Sequence, residues 1–261
     1  MKNHRIYGMI LRYMYYFKHS FDRISDTFYW PTLDLVMWGL TSVYAKSFMP
    51  QGSQIILVIL SGIIFWIIIW RGQYEITVNL LEELWNRNLV NIFSSPLKFS
   101  EWVVSFIIVG VIKAIISFTF AVFMAFLLYK IKVFELGFYV IPFIISLLLT
   151  GWCVGFFVAG IILRFGSKLQ TLAWSFVWVL GPFSAIYYPV SLLPEWAQIV
   201  SSALPTSYIF EGLREVIYSG RLDYSKLMMS FALNSVYLIF SLAFLKASFA
   251  KVLEKGLVKV Y

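Results

Sequence analysis

Charge and sulfur are both scarce in this chain. Only 13% of its 261 residues are Asp, Glu, Lys or Arg, about half the share in soluble domains, and a soluble domain this apolar could not solvate its surface. The single cysteine, Cys153, lies in an apolar run. One cysteine excludes a disulfide framework within the chain and a thiol-rich metal site, and reads as a small buried hydrophobe. The two histidines, His4 and His19, both fall in the basic N-terminal segment, which argues against a histidine-built metal centre. There is no G-x-x-x-x-G-K-[ST] phosphate loop. No cleavable signal peptide is visible, because Arg12 and Lys18 interrupt the first apolar stretch and no small-residue cleavage site follows. No internal repeat is evident, which weakens an inverted-repeat architecture.

Apolar residues are abundant: 61% of the chain is hydrophobic and the mean hydropathy is +0.81. Uncharged runs cover 47–70, 114–129, 136–163, 169–194 and 227–245. Runs near 20 residues match a hydrocarbon core about 30 Å thick at 1.5 Å per helical residue. They are too continuous for the strands of a lipid-facing barrel. The fold expected is an all-α polytopic membrane protein, one domain over 1–261, with six transmembrane spans at 28–47, 53–71, 102–129, 137–163, 169–187 and 226–246.

The segments between the spans carry the detail. In 1–26, Ile6, Ile10, Tyr13, Met14, Phe17 and Phe21 recur at helical spacing while Lys2, Arg5, Arg12, Lys18 and Arg23 lie off that stripe. The pattern predicts an amphipathic helix in the membrane interface, its basic face towards anionic headgroups; packing against another protein is the alternative. Trp30-Pro31 stands at the entrance of the first span, where a first-turn proline is tolerated, and Asp34 lies about a turn further in. Arg71 closes the second span, and Lys113 sits inside the third. Between spans two and three runs the longest polar insert on its side, with a predicted helix over 81–93, then Ser94-Ser95-Pro96-Leu97. Past span five, Pro189, Pro194 and Pro205 break an apolar stretch, so 188–217 reads as two short helices dipping back into the outer leaflet. Irregular backbone at that depth must be buried in protein or line a wet cavity. A basic tail holds Lys251, Lys255 and Lys259.

The formal charge of +8 fits cytosolic enrichment of Lys and Arg better than nucleic-acid binding. With both termini in the cytosol, fourteen of the 21 basic residues lie on inner segments and six on outer ones, Lys113 being within a span. The count supports six helices with both ends inside.

Glu82-Glu83-Leu84-Trp85-Asn86-Arg87-Asn88 running into Ser95-Pro96-Leu97, and Leu193-Pro194-Glu195-Trp196 followed by Leu204-Pro205 and Glu211-Gly212-Leu213-Arg214, are the most specific pieces. In their order, and with the N-terminal helix, they resemble the permease subunit of the ABC-2 family of exporters over nearly the whole chain. The region 26–39 departs from the Leu-Gly-x-x-Trp segment of polysaccharide-exporting members. The resemblance implies a subunit in the bacterial cytoplasmic membrane that has no ATPase of its own and is not an enzyme. It also implies pairing with a second permease copy, commonly as a homodimer, and docking of separate ABC ATPase subunits. ATP and magnesium would bind those subunits, and no cofactor would bind this chain. The expected cargo is amphipathic: a lipid, lipid-linked molecule or hydrophobic drug. Rival readings are a polysaccharide or glycolipid exporter, an ion-coupled secondary transporter, and a non-transporting membrane scaffold.

Candidate residues follow. Glu82, Glu83, Trp85, Asn86, Arg87 and Asn88 are the ATPase-coupling set; the bland alternative is an interfacial helix held by its own pairs, such as Glu83 and Arg87 at i,i+4. Lys113, Asp34 and Asn234 are intramembrane polar groups that line a cargo path, pair with one another, or hold helices together. Snorkelling of Lys113 to the interface is a further alternative, and no second deeply buried carboxylate is evident. Gly151 and Gly155, with Ala159 and Gly160, offer a small-residue face for close helix packing. Trp66, Trp152, Trp174 and Trp178 are either a stacking wall for cargo or packing residues. Pro189, Pro194, Pro205, Glu211 and Arg214 are the outer-gate candidates.

Overall fold

The structure is a computed structural model that describes residues 1–46, 48 and 53–255, the side chains of residues 53 and 255 excepted. Parts of the expected loop after span one, and the end of the basic tail with Lys259, lie outside the described residues. Among the described residues all regular structure is helical. In chain order the helices are α1 (Asn3–His19), α2 (Phe21–Lys46), α3 (Ser53–Trp85), α4 (Leu89–Ser94) and α5 (Phe99–Tyr129), then α6 (Val140–Phe165), α7 (Leu172–Leu180), α8 (Glu195–Ser202), α9 (Pro205–Ser219) and α10 (Tyr224–Lys255). Among the described residues, four stretches are long and apolar enough to cross a membrane: Gln54–Trp85, Phe99–Tyr129, Val133–Leu169 and Tyr224–Glu254. They coincide with the expected spans two, three, four and six. The expected first span falls in α2, which is long but carries Asp22, Arg23, Asp26, Asp34 and Lys46. The expected fifth span is a short apolar helix, Leu172–Phe183, that runs into irregular backbone.

Three of the boundaries that differ from the sequence reading have a clear tertiary reason. The chain breaks at Ser20, whose backbone is extended, not at residue 27, so α2 begins at Phe21. Pro31 is therefore in the interior of α2 and not in its first turn. A proline there frees the carbonyl four residues back, and Ser117 on α5 donates its hydroxyl to that carbonyl, Thr27 O, at 3.4 Å. Second, α3 does not stop at Arg71. It continues to Trp85 because Arg71, 1% exposed, finds a carboxylate inside the protein. Third, α5 starts at Phe99 and not at 102. Glu101 in its first turn accepts the Lys98 N–H at 3.0 Å and the Lys2 N–H at 2.7 Å, satisfying donors that an N-terminus leaves free.

The core forms around α6, which packs along α3 on one side and α10 on the other. Gly151 makes the first contact possible: a Cβ there would stand 2.7 Å from Ile69 O and 3.1 Å from Gly72 Cα. The second contact is polar. Thr150 donates to Asn234 Oδ1 at 2.8 Å, and Asn234 Nδ2 reaches Ser146 O and Oγ at 3.0 and 2.9 Å. One end of the bundle gathers α1, the α3–α4 turn, the start of α5, the Gly166–Leu169 turn and the end of α10. There the rings of Phe93, Phe99, Trp102 and Phe249 pack together, and Arg164 donates to Ser248 at 2.9 Å.

Candidate functional site

Two features stand out, a charged seam at the end that holds α1 and an aromatic cavity beside it. The seam begins on α3, where Arg71, Glu75, Asn79 and Glu82 fall three or four residues apart and so share one helix face. Lys113 of α5 donates to Glu75 Oε2 at 2.6 Å, with both side chains buried. Arg71 Nη1 and Arg23 Nη1 stand 3.8 and 4.0 Å from the same carboxylate. Arg71 also clasps Asp26, 2.8 Å to the carboxylate and 2.5 Å to the backbone oxygen. Arg23 bonds Glu82, Nε to Oε1 at 2.8 Å, and Asn79 at 3.3 Å. Arg23, Arg71 and Lys113 thus face Asp26, Glu75 and Glu82, three cations against three carboxylates. Buried charge is tolerated only when matched in this way.

Helix α1 is strapped to the same end. Arg12 bonds Glu83 at 2.8 Å, Tyr13 donates to Glu83 at 3.1 Å, and Arg5 reaches Glu101 at 3.7 Å and donates to Pro96 O. Burial, then the nearby Glu83 charge, push the Tyr13 phenol well above its ordinary pKa. The expectation that the basic face of 1–26 turns to lipid is corrected for Arg5, Arg12 and Arg23, which are committed to carboxylates of this chain.

The expected helix over 81–93 is two helices and a turn. Arg87 is left-handed, φ 51°. Asn88 N–H donates to Glu83 O at 2.8 Å and Arg87 N–H to Leu84 O at 2.9 Å, the bond pattern of a Schellman C-cap. The six coupling candidates separate. Glu83 is buried, Asn88 bonds it at 2.7 Å, and Glu82 belongs to the seam. Trp85 is half exposed; its indole donates to Gln170 at 3.1 Å and stacks on Trp174. Asn86 and Arg87 are exposed at the tip. Beside them a groove of about 570 Å³ runs between α1 and α4, bordered by Arg5, Arg12, Asn88 and Asn91.

The cavity, of about 520 Å³, is enclosed by α2, α3 and α7. Its wall holds Trp30, Trp66, Trp70, Tyr74, Trp174 and Trp178 together with Pro31, Ile67, Thr171, Ser175, Asp26 and Asp34. Trp66, Trp174 and Trp178 of the expected stacking wall meet here. Trp152 does not line it; it packs near Gly110, between α6 and α5.

At the other end, Ala185 is left-handed, φ 57°. Its carbonyl accepts from buried Arg214 at 2.6 Å, while Glu211 pairs with Arg214 at 3.1 Å and accepts the Val190 N–H at 2.7 Å. Glu211 and Arg214 lie one turn apart inside α9 and hold the broken segment. Pro189 and Pro194 precede short helices and Pro205 opens α9, positions where the missing N–H costs nothing. Tyr187 of the segment stacks on Trp38 of α2 at 4.4 Å.

Asp34, Lys113 and Asn234 do not come together: the first is in the cavity wall, the second in the seam, the third between α6 and α10. Lys113 pairs with Glu75, not Asp34. Glu75 is the deeply buried carboxylate that sequence reading missed, along with the roles of Arg23, Asp26, Arg71 and Glu101. The signal was the three- and four-residue recurrence of polar residues through 71–82.

Membrane-length helices with matched charges inside define an integral membrane protein. Its sequence matches the ABC-2 type transporter family over residues 13–218, and the chain belongs to that family. It is accordingly an ABC transporter permease component, a membrane-spanning part and not a nucleotide-binding domain. No curated protein matches the chain.

Proposed function

We propose that this chain is the permease subunit of an ATP-driven exporter of amphipathic cargo, working as a pair of copies with separate ATPase subunits. In this reading it crosses the membrane six times in the bacterial cytoplasmic membrane, with α2 and α7 as the two weaker spans and both termini in the cytosol. The α3–α4 turn is then the element that meets the ATPase, and the segment around Ala185 is the outer gate. The observation that carries the reading is Arg87. Glycine is favoured by roughly 1 kcal/mol at a left-handed position, yet an arginine stands there with its side chain exposed and outside every ion pair among the described residues. The adjoining groove supplies a seat for a partner, and the salt bridges of α1 and the seam would carry its movement into α2, α3 and α5. The cavity, walled mainly by apolar and aromatic side chains, suits a greasy cargo.

The test is co-purification with the ATPase encoded beside the gene. Arg87→Gly keeps or improves the turn geometry while deleting the contact. Loss of the complex with an unchanged or slightly raised melting temperature is expected. An intact complex with unchanged ATPase activity would remove this turn from the interface, and a wild-type chain that binds no ATPase would favour the ion-coupled or scaffold reading. A glycan stacked on the indoles is the rival cargo.

A further inference from the structure

We propose that the aromatic cavity binds an organic cation, with the Asp34 carboxylate as counter-ion and the indole faces as the walls of the box. This rests on the transport reading above and names the cargo's chemistry. Asp34 is half buried and has no hydrogen bond or ion pair among the described residues. It is alone in this. Every other described carboxylate that is not surface-exposed has a Lys or Arg partner within 4.0 Å. Asp26, the other carboxylate in the wall, is neutralised by Arg71. Among the described residues no Lys, Arg or His lines the cavity, so the space carries one uncompensated negative charge.

The walls suit the same ligand. Trp66, Trp70, Trp174 and Trp178 come from two facing helices, with the rings of Trp70 and Trp178 5.6 Å apart. A cation over an indole face is attracted by the ring quadrupole, most strongly when desolvated. Among the described residues the protein's own cation–π contacts use Tyr and Phe rings, which leaves these indoles without a cation of the chain's own. The volume falls within the range of small-molecule sites. An anion would meet the unpaired carboxylate. A neutral glycan would find two hydroxyls, Thr171 and Ser175, and few further partners. A quaternary ammonium or similar lipophilic cation is matched in charge, size and polarity.

The experiment uses the purified full chain in a polyoxyethylene detergent, following quenching of tryptophan fluorescence. Tetraphenylphosphonium, tetraphenylborate and maltohexaose are the probes. The first two share size and shape and differ in the sign of charge. Tetraphenylphosphonium is expected to bind saturably and tetraphenylborate not to. Asp34→Asn should weaken the cation by about tenfold or more, from loss of a poorly screened charge partner, while Asp34→Glu retains it. Equal binding of the two ions, an Asp34→Asn affinity equal to the wild type, or saturable binding of maltohexaose alone would overturn the proposal. The wild-type comparison of the two ions decides the question even if the Asn variant misfolds. Because no ATPase is present, failure here leaves the permease reading standing. Absence of an ATPase complex would remove the transport reading without touching the binding result.

Discussion

Replacing Glu75 by Gln is predicted to destabilise the protein much more than replacing its partner Lys113 by Met. Glu75 is the one carboxylate of the seam approached by three cations: Lys113 at 2.6 Å, Arg71 at 3.8 Å and Arg23 at 4.0 Å. Removing it leaves three buried cations facing Asp26 and Glu82 alone. Breaking a buried pair so that charge is left uncompensated costs about 3–5 kcal/mol. Removing Lys113 instead leaves Glu75 between two guanidinium groups, puts the excess negative charge on the less buried Asp26 and Glu82, and also removes the desolvation of an ammonium. The loss is then nearer one charge-assisted hydrogen bond, about 1–2 kcal/mol after that offset. At about 2–4 °C per kcal/mol for a chain of this size, the expected falls in melting temperature are about 10 °C for Glu75→Gln and about 4 °C for Lys113→Met. The double variant keeps two cations against two carboxylates and should melt above Glu75→Gln. Tryptophan fluorescence during a thermal ramp, at fixed protein and detergent, reads all three. A Lys113→Met variant that is as damaged as Glu75→Gln, or a double variant worse than either single, would refute the view of the seam as a charge-balanced unit centred on Glu75.

Two further outcomes test the packing of α6. Gly151→Ala should cost about 1–3 kcal/mol by overpacking, because its Cβ meets the backbone of α3; Gly8→Ala in α1 meets nothing within 4 Å and should be neutral or stabilising by up to about 1 kcal/mol. Equal melting temperatures for the two would contradict the close α3–α6 contact. Asn234→Leu removes three hydrogen bonds to α6 and should lower stability by about 2 kcal/mol, read by the same ramp; a variant as stable as the wild type would show that these bonds contribute nothing net.

How far the sequence could be read depended on whether a residue's partner was nearby in the chain. Composition and the uncharged runs were enough for the helical membrane class, since hydrocarbon demands long apolar helices whatever they pack against. The small residues at 151 and 155 and the helix-opening prolines at 194 and 205 are legible because close packing and helix starts are written in local residue types, whereas the turn at Asn86–Asn88 is not, since 81–93 reads as one helix. The helix ends at Phe21, Trp85 and Phe99 were not. At each the sequence offers a charge or a proline as a boundary, and each is accommodated by a group far along the chain: Arg71 by Asp26, Glu101 by the Lys2 N–H, the Pro31 gap by Ser117. Likewise the sequence offered Trp66, Trp174, Trp178 and Asp34 as separate candidates. Their meeting in one cavity, with Asp34 left unpaired, is a property of how α2, α3 and α7 assemble. Burial and charge balance are sums over neighbours, and only the tertiary structure decides who those neighbours are.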